Sequence, residues 1–436
     1  MKFLFYPSII LLFEICLVFY TLIEITSSKQ NSRAESWIER FSDDNLTDIP
    51  KNVLNTERKF YHPIKKLVQI SVQTISSDRE LKSIRKKKIQ VRYPKTTKFF
   101  CQTDNTRSAV KPDSVHQLRP GDIDVIGAIG DSITVGLGSF AQNILEVNVE
   151  DRGFSFPIGG NGDWRKYLTL PNIIKEFNPN LKGYSYGSPL AEERGSQFNV
   201  AETGALSQDV LFQAKEIVNR MKNSKRINYL EDWKLITIML GPNTFCQQTC
   251  NNDSLKITNT YRENIYNALY YLKINLPKTF VNLIMSLDVV GMTNFVGKPL
   301  LCSVINPFEC PCMFGMKNRN RLHIYHKFIN EFRNIEKEVV QNQTLNQDDD
   351  FTVVLQPFTE DLIWPVLKNG NTDMSLLSAD CFHLSQKGYA RAANALWNNM
   401  MEPVGQKTTN WSKEFSRFLC PTQTHPYIRT WKNSFD

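Results

Sequence analysis

From residue 123 onward, short apolar runs alternate with longer stretches of helical pattern. Four of the runs are rich in β-branched residues, which is typical of strands buried on both faces of a sheet. Strands that alternate with helices predict an α/β fold with a parallel sheet covered by helices on both faces. The runs are 123–129, 235–240, 280–285 and 351–355, and the helical stretches between them are 207–221, 259–273 and 322–341.

The N-terminal part of the chain has a different character. Residues 1–28 contain a long apolar run, broken by Glu14 and followed by small polar residues, which is typical of a secretory signal peptide. If it is not cleaved, the run is long enough to span a bilayer as a signal anchor. Residues 29–100 are polar and basic, and we interpret them as an extension or propeptide. The folded domain is therefore expected at residues 101–436, in a secreted protein or, as the alternative, in one anchored by its N-terminal segment.

Composition and charge narrow the class of protein. Hydrophobic residues make up 41% and charged residues 22% of the chain, which favours a globular protein over a multi-span membrane protein. The net charge of +8 is concentrated in one basic tract. We interpret this tract as a solvated linker and expect no nucleic-acid partner; the alternatives are a site for anionic headgroups or for a basic-specific protease. The tract contains Arg85, Lys86, Lys87, Lys88, Arg92, Lys95 and Lys98.

The cysteines also indicate an oxidising compartment. The chain has nine, and removal of Cys16 with the signal leaves an even number that disulfides can pair, although spacing does not give the connectivity. Zinc binding by Cys302, Cys310 and Cys312 is the alternative, but no histidine or second cysteine pair stands at a familiar ligand spacing. Glycosylation sequons fit the same compartment. They begin at Asn45, Asn252, Asn342 and Asn410.

Residues suited to acyl-transfer chemistry stand in four separate blocks. Ser132 follows the first predicted strand in a Gly-Asp-Ser turn and needs a base to become a nucleophile. Asp380 and His383 have a spacing that lets the carboxylate hold one ring nitrogen while the other faces the nucleophile. Gly204 and Asn243 lie in turns, where amides can donate to an oxyanion. Taken singly, Ser132 is also explained as a helix cap, His383 as a loop histidine, and Gly204 and Asn243 as turn residues. The prediction of a catalytic site therefore depends on the joint occurrence of these residues.

These four blocks, in this order, resemble those of the GDSL or SGNH hydrolase family. Further stretches are similar to the repeats of the membrane-associated phospholipase B branch of that family, and the resemblance covers about residues 98 to 436. It implies a flavodoxin-like α/β/α sandwich with a central parallel sheet of about five strands. The similar stretches are 114–120, 160–164, 167–173, 231–234, 354–358, 395–400 and 420–422.

The resemblance also implies a role for each candidate residue. Ser132 is expected to be the nucleophile, with Asp380 and His383 as the rest of the triad. The amides of Ser132 and Gly204, together with the Asn243 side chain, are expected to form the oxyanion hole. Phospholipids or lysophospholipids at a membrane or micelle surface are the implied substrates, and neither a cofactor nor a metal is required.

Three positions depart from the family pattern. Ile133 replaces a leucine, Thr244 replaces an acid that fixes the oxyanion loop, and Leu384 replaces a proline after the histidine. Two alternatives therefore stay open. One is a lipid-binding protein of the same fold with weak or no catalysis, and the other is an esterase for short acyl or carbohydrate esters.

Overall fold

A computed structural model describes residues 66–435 except residues 68, 73–77, 105, 251–253 and 316–320. The predicted signal segment and the first part of the predicted extension lie outside the described residues, as do Cys16 and the sequons at Asn45 and Asn252. The remaining part of the extension and the whole predicted sheet are described.

Four parallel strands form the sheet in the described part of the chain, in the spatial order β1-β2-β3-β4. Nearly all of their side chains are buried, as is expected for parallel strands covered on both faces. The four strand predictions are confirmed with small shifts at their ends. The strands are β1 (Ile123–Gly130), β2 (Trp233–Met239), β3 (Thr279–Ile284) and β4 (Phe351–Gln356).

A fifth regular strand, which the family resemblance implied, is not found among the described residues. Its place beside β1 is taken by two short segments, in which Lys182 and Asn199 form isolated parallel bridges to Val125 and Ala128. Gly183 has a φ of +98°, and after it the chain leaves the sheet before returning with Asn199. This excursion interrupts the strand. Counting the two segments as one strand position gives the order 2-1-3-4-5 of flavodoxin-like sheets, with its switch point between β1 and β2.

The helices predicted at 207–221, 259–273 and 322–341 are confirmed as α5, α7 and α10. The first turn of the 207–221 stretch is a 3-10 helix, Ser207–Asp209. Residues 66, 67 and 69–72 are also helical. The α-helices are α1 (Arg79–Arg85), α2 (Ser132–Val135), α3 (Ile144–Val147), α4 (Leu170–Phe177), α5 (Val210–Lys222), α6 (Pro242–Gln248), α7 (Ser254–Asn275), α8 (Leu300–Glu309), α9 (Pro311–Phe314), α10 (Leu322–Val340), α11 (Gln343–Asn346) and α12 (Gln386–Met401).

Helices cover both faces of the sheet. On one face α5, α7 and α10 pack side by side, and Gly127 of β1 lets α5 approach closely. Val281 of β3 is in register with Gly127 through Ile236 of β2 and therefore points to that same face. Its neighbour Asn282 points to the opposite face, where its amide contacts Met400 of α12. Because α12 packs against α4 there, the molecule is an α/β/α sandwich.

Residues 78–100 pack against the domain, although they belong to the stretch predicted to be an extension. Arg79 donates a hydrogen bond of 2.6 Å to the buried Asp151 carboxylate. Lys88 of the basic tract donates to the backbone oxygen of Ser378, close to the predicted catalytic histidine. Part of the basic tract is therefore held on the domain. The predicted boundary between extension and domain stays a prediction.

Four disulfide bonds join the eight cysteines of the described residues. The disulfide interpretation is confirmed, because each cysteine considered for zinc binding is paired with another cysteine. One bond connects the two ends of the domain, and the other three link the segments that carry predicted site residues to α8 and α9. The pairs are Cys101–Cys420, Cys246–Cys310, Cys250–Cys312 and Cys302–Cys381.

Removal of the terminal disulfide should destabilise the whole domain. The Cys101–Cys420 bond joins residues 319 positions apart, so its loss gives the unfolded chain much more conformational freedom. We expect the double variant Cys101→Ala/Cys420→Ala to lose about 2–4 kcal/mol of unfolding free energy. Urea unfolding followed by tryptophan fluorescence measures this, with the oxidised wild type as reference. An unchanged midpoint and slope would contradict the expectation.

Candidate active site

Ser132 stands in a tight turn between β1 and α2. Asp131 caps the helix, since its Oδ1 accepts a hydrogen bond of 3.0 Å from the Ile133 amide. Gly136, with a φ of +80°, ends the helix after a single turn. A side chain at Gly130 would overlap the Thr134 hydroxyl, so a glycine is needed where the strand meets the helix. This geometry places the serine at the carboxyl end of β1.

The structure brings Ser132, His383 and Asp380 together in one hydrogen-bonded chain. The Ser132 Oγ lies 2.9 Å from the His383 Nε2, and the His383 Nδ1 lies 2.6 Å from the Asp380 Oδ2. The other Asp380 oxygen accepts hydrogen bonds of 3.0 Å from the amides of Phe382 and His383. The fully buried carboxylate is thus oriented by its own turn. This arrangement suits proton transfer from the hydroxyl to the imidazole.

The turn that carries Asp380 and His383 is closed by local contacts. The Ser378 amide donates to the His383 backbone oxygen at 2.8 Å, and Leu377 forms an antiparallel bridge with Leu384. Cys381 has a φ of +57°, a conformation that few side chains adopt, and its disulfide to α8 holds it there. Leu384 is buried, and with this bridge in place the turn closes without the family's proline.

Neighbouring charges set the protonation of the site. Burial favours the neutral imidazole, but the negative charge and the hydrogen bond of Asp380, together with the charges of Glu309 and Asp131, outweigh burial and raise the pKa of His383 to about 8. Burial likewise opposes ionisation of Asp380, but the positive His383 and the hydrogen bonds to the carboxylate hold the pKa of Asp380 below its usual value. The pair therefore favours an ionised aspartate beside a histidine that titrates near neutral pH.

One face of α8 holds the catalytic turn. Cys302 forms its disulfide with Cys381, and the Asn306 side chain donates to the Asp380 backbone oxygen at 2.9 Å. One turn later, the Glu309 Oε1 lies 4.0 Å from the His383 Nδ1. Cys302 and Asn306 are four positions apart, and Asn306 and Glu309 are three positions apart. The three residues therefore share one face of α8. Sequence reasoning missed them because this contact depends on a disulfide whose pairing the spacing does not reveal.

Glu309 adds a second carboxyl group beside the histidine. Burial, and then the negative charge of Asp380, raise the pKa of Glu309 to about 8. The ligand atoms of Glu309, Asp380 and His383 lie within 4.8 Å of one another, a donor set that metals also use. The 2.6 Å hydrogen bond between Asp380 and His383 already joins two of these groups. The three groups are therefore suited to sharing a proton, and each apparent pKa describes the cluster and not a single residue.

The predicted oxyanion donors lie in two loops that contact each other. Gly204 is exposed, and no atom lies where a side chain would be added. Its backbone φ of +82° is the reason that a glycine is needed there. The Asn243 side-chain amide donates a hydrogen bond of 3.1 Å to the backbone oxygen of Ala205. Because an amide nitrogen carries two hydrogens, this bond uses one and orients the other. Asn243 and the Gly204 loop are thus fixed relative to each other.

Thr244 has a definite role in this arrangement. Its buried hydroxyl accepts a hydrogen bond of 2.8 Å from the Ser207 amide, just after the Gly204 loop. The sequence raised the expectation that loss of the family's acid leaves this loop poorly fixed. The threonine hydroxyl instead accepts from the loop directly, so α6 and the loop remain joined.

A buried ion pair contacts the segment that leads into the Gly204 loop. Sequence reasoning missed this pair. Arg152 forms a salt bridge of 2.7 Å with Glu150, and both side chains are fully buried. Arg152 also donates to the backbone oxygens of Asn199 and Ala201, while Glu150 accepts from the Thr203 hydroxyl. Buried charges persist when they are paired and hydrogen-bonded in this way. No motif in the sequence marks the pair.

The turn before Asn243 requires close backbone approach. Gly241 has a φ of +131°, and a Cβ there would lie 2.3 Å from the Ser286 Oγ. Ser286 and Tyr261 both donate hydrogen bonds of 2.6 Å to the buried Glu336. This polar cluster fills the space behind the turn and fixes the start of α6, and with it Asn243.

Comparison with known protein families gives one match over most of the domain. The sequence model of the family "GDSL-like Lipase/Acylhydrolase" matches residues 126–396, from β1 to α12. All five residues predicted for the site lie within this range.

Comparison with individual proteins gives several similar sequences. The chain is 40% identical over 337 residues to "Phospholipase B1, membrane-associated" of Homo sapiens. It is 38% identical over 344 residues to the proteins of the same name in Mus musculus and Rattus norvegicus. These matches cover 76% of this chain for the human protein and 78% for the rodent proteins, but 23% to 24% of the relatives. The chain therefore spans about a quarter of the length of these relatives.

Loss of the Thr244 hydroxyl should weaken turnover more than substrate binding. Thr244→Val leaves the buried Ser207 amide without its acceptor, which costs roughly 1–3 kcal/mol and loosens the Gly204 loop. We expect kcat for a soluble short-chain ester to fall about tenfold, with a smaller change in KM. Thr244→Ser keeps the hydroxyl and serves as the matched control. Equal kinetics for both variants and the wild type would show that the hydroxyl has no such role.

The pH dependence should follow the titration of the histidine and its two carboxyl neighbours. Only the neutral imidazole accepts the serine proton, so reaction of Ser132 with a fluorophosphonate should accelerate as pH rises through about 8. Glu309→Gln removes the negative charge that Glu309 acquires as pH rises through about 8, a charge that favours the imidazolium. The pKa of His383 should therefore fall, and the rising limb should move to lower pH. The exposed Glu263→Gln variant is the control. A midpoint that stays in place or rises in Glu309→Gln would contradict this account.

Proposed function

Because the chain belongs to the GDSL-like lipase/acylhydrolase family, we propose that it is a serine ester hydrolase that releases fatty acids from phospholipids and lysophospholipids. The observation that carries the proposal is the hydrogen-bonded chain from Asp380 through His383 to Ser132. The lipid class comes from the relatives, which are named phospholipase B1 and cover most of this chain. Because those relatives are much longer, their substrates are taken over here as a proposal.

In the first half of the reaction the serine becomes acylated. The Ser132 Oγ attacks the carbonyl carbon of the ester while the His383 Nε2 takes the hydroxyl proton. Asp380 holds the Nδ1 hydrogen and stabilises the imidazolium that forms. The tetrahedral intermediate collapses when its bond to the leaving oxygen breaks, and His383 gives the proton to that oxygen. The deacylated lipid leaves as an alcohol.

The oxyanion of the intermediate is stabilised by donors from three segments. The amides of Ser132 and Gly204 and the second hydrogen of the Asn243 side chain are the proposed donors. Their loops are fixed before substrate arrives, by the bond from Asn243 to Ala205 and by the Thr244 hydroxyl. Donors held in place need little reorganisation when the negative charge develops, which is why this loop geometry supports catalysis.

In the second half water releases the fatty acid. His383 again acts as the base and takes a proton from the water that attacks the acyl carbon. When the second intermediate collapses, the proton returns to the Ser132 oxygen and the carboxylic acid is freed. The enzyme is thereby restored to the hydrogen-bonded state seen in the structure.

The geometry favours this proposal over a protein with weak or no catalysis. That alternative was motivated by Thr244 and Leu384, and both residues occupy positions that brace the site. Thr244 accepts a hydrogen bond from the oxyanion loop, and Leu384 joins the bridge that closes the catalytic turn. An esterase for short acyl or carbohydrate esters would use the same residues, so the choice between substrates needs a direct comparison.

The proposed location is outside the cell. Among the helices of the described residues, none has the length and apolar character needed to span a bilayer. The paired cysteines fit an oxidising compartment. From the paired cysteines and the signal peptide predicted at residues 1–28 we propose a secreted enzyme that meets its lipid substrate at a membrane or micelle surface.

Substitution of the nucleophile tests the proposal directly. Ser132→Ala should abolish hydrolysis of phosphatidylcholine and lysophosphatidylcholine, with a loss of at least about 10³-fold in kcat, because it removes the hydroxyl that is hydrogen-bonded to the His383 Nε2. A fluorophosphonate should label the wild type and spare the variant, while the control Ser224→Ala should be labelled normally. Circular dichroism checks that folding is retained. Residual turnover near the wild-type rate would refute the assignment.

The substrate class needs its own comparison. We expect kcat/KM for long-chain phosphatidylcholine in mixed micelles to exceed that for acetylated sugars and short acetyl esters. A preference for acetyl esters together with full fluorophosphonate labelling would keep the catalytic proposal and replace the lipid substrate by a small ester.

A further inference from the structure

Seven large apolar side chains are exposed on one side of the candidate site, and we call this surface the apolar platform. Leu300 is 82% exposed and Ile363 is 69% exposed, and a contiguous group of such side chains marks an interaction surface, whereas single exposed apolar residues do not. The platform combines one face of α8 with two neighbouring segments. Its residues are Val296, Leu300, Leu301, Val304, Ile363, Val366 and Leu367.

Hydrogen bonds and a ring contact between these segments make the platform continuous. The Val296 amide donates to the Thr372 hydroxyl at 3.1 Å, and the Thr372 amide donates back to the Val296 oxygen. Thr372 in turn forms an antiparallel bridge with Val366. Beneath them the rings of Phe295 and Trp364 meet edge to face at 5.2 Å. The segments before α8 and around residue 366 are therefore one packed unit.

The platform is joined to the catalytic turn through α8. The inner face of this helix carries the Cys302 disulfide and Asn306, both of which hold residues 380–381. Leu300 and Val304, four positions apart, lie on its exposed face. A surface that meets Leu300 and Val304 therefore lies one helix diameter from the turn that carries His383.

The charge of the platform suits a phospholipid surface. Within α8 the one charged side chain is Glu309, which is largely buried against His383, so the exposed face of the helix is uncharged. The exposed Lys368 borders the platform, where its ammonium group can meet lipid phosphates. Lys298 is half-buried beside it, and its ammonium group donates to the Met292 backbone oxygen and lies over the Phe295 ring. Asp361, next to Leu362, is an acidic group at the edge of this area. An apolar face bordered by lysines is typical of surfaces that enter the headgroup region.

We propose that the apolar platform docks the protein onto a phospholipid surface and presents the acyl ester to Ser132. This inference rests on the proposed function and adds to it the surface through which the lipid arrives. Docking removes the seven apolar side chains from water, which favours binding in proportion to the area buried. The lipid then reaches the site along α8 without crossing bulk water.

The proposal is tested by vesicle binding of full-chain variants. Binding is measured on the Ser132→Ala background by co-sedimentation with vesicles of phosphatidylcholine, alone and with phosphatidylglycerol, so that no lipid is consumed. Leu300→Asp/Val304→Asp and, separately, Val366→Asp/Leu367→Asp should each weaken binding at least about tenfold, because a carboxylate opposes entry into the apolar layer. The matched control is Val110→Asp/Leu230→Asp, which places the same charges on exposed apolar residues at the amino end of the sheet.

Turnover with the active serine separates docking from chemistry. Both platform variants should hydrolyse a soluble monomeric ester within about twofold of the wild type and lose most of their activity on vesicle phospholipid. The control variant should behave as the wild type in every assay. If the wild-type protein hydrolyses neither substrate, the proposed function is refuted, while the vesicle-binding measurement still tests the docking proposal.

Three results would overturn the docking proposal. The first is vesicle binding that both platform variants retain. The second is an equal loss of binding in the Val110→Asp/Leu230→Asp control, which would indicate a general effect of charge. The third is a wild-type dimer, seen in sedimentation velocity, that the platform variants lose while their vesicle binding stays unchanged. That result would assign the platform to contact between two copies of the chain.

Discussion

The rest of the site depends on one interaction, the 2.6 Å hydrogen bond between Asp380 and His383. Asp380 is fully buried, and an isolated carboxylate there would be protonated. Two amides of its own turn and the imidazole keep it ionised, and its charge then keeps the histidine basic enough to accept a proton from Ser132. Without that charge, the imidazole is neither oriented nor basic.

Much of the surrounding structure holds this turn and the Gly204 loop in place. The Cys302–Cys381 disulfide fixes a residue with positive φ between Asp380 and His383 and so links α8 to this turn. On the other side, α6 carries Asn243 and is tied by the Cys246–Cys310 bond to the residue between α8 and α9. Preorganisation of this kind is the main means by which an enzyme stabilises charge in a transition state.

Several parts of the fold and site were predictable from the sequence because they have local signals. β-branched runs marked the four strands, and the Gly-Asp-Ser turn and the Asp380 to His383 spacing marked the residues that the structure brings together. The resemblance implied a fifth strand, but its interruption was not predictable, because no local signal marks the excursion after Gly183 that leaves only isolated bridges beside β1. Glu309 also escaped prediction, because its partner His383 is distant in sequence. The buried pair of Arg152 and Glu150 escaped it because no motif marks the pair and the loop that it contacts is distant in sequence.

The most direct test of the central claim is a crystal structure of the protein after reaction with a fluorophosphonate. The account predicts a phosphonyl group bonded to the Ser132 Oγ, with its free oxygen within about 3 Å of the amides of Ser132 and Gly204 and of the Asn243 side-chain nitrogen. An unmodified Ser132, or an adduct whose oxygen points away from these donors, would contradict it.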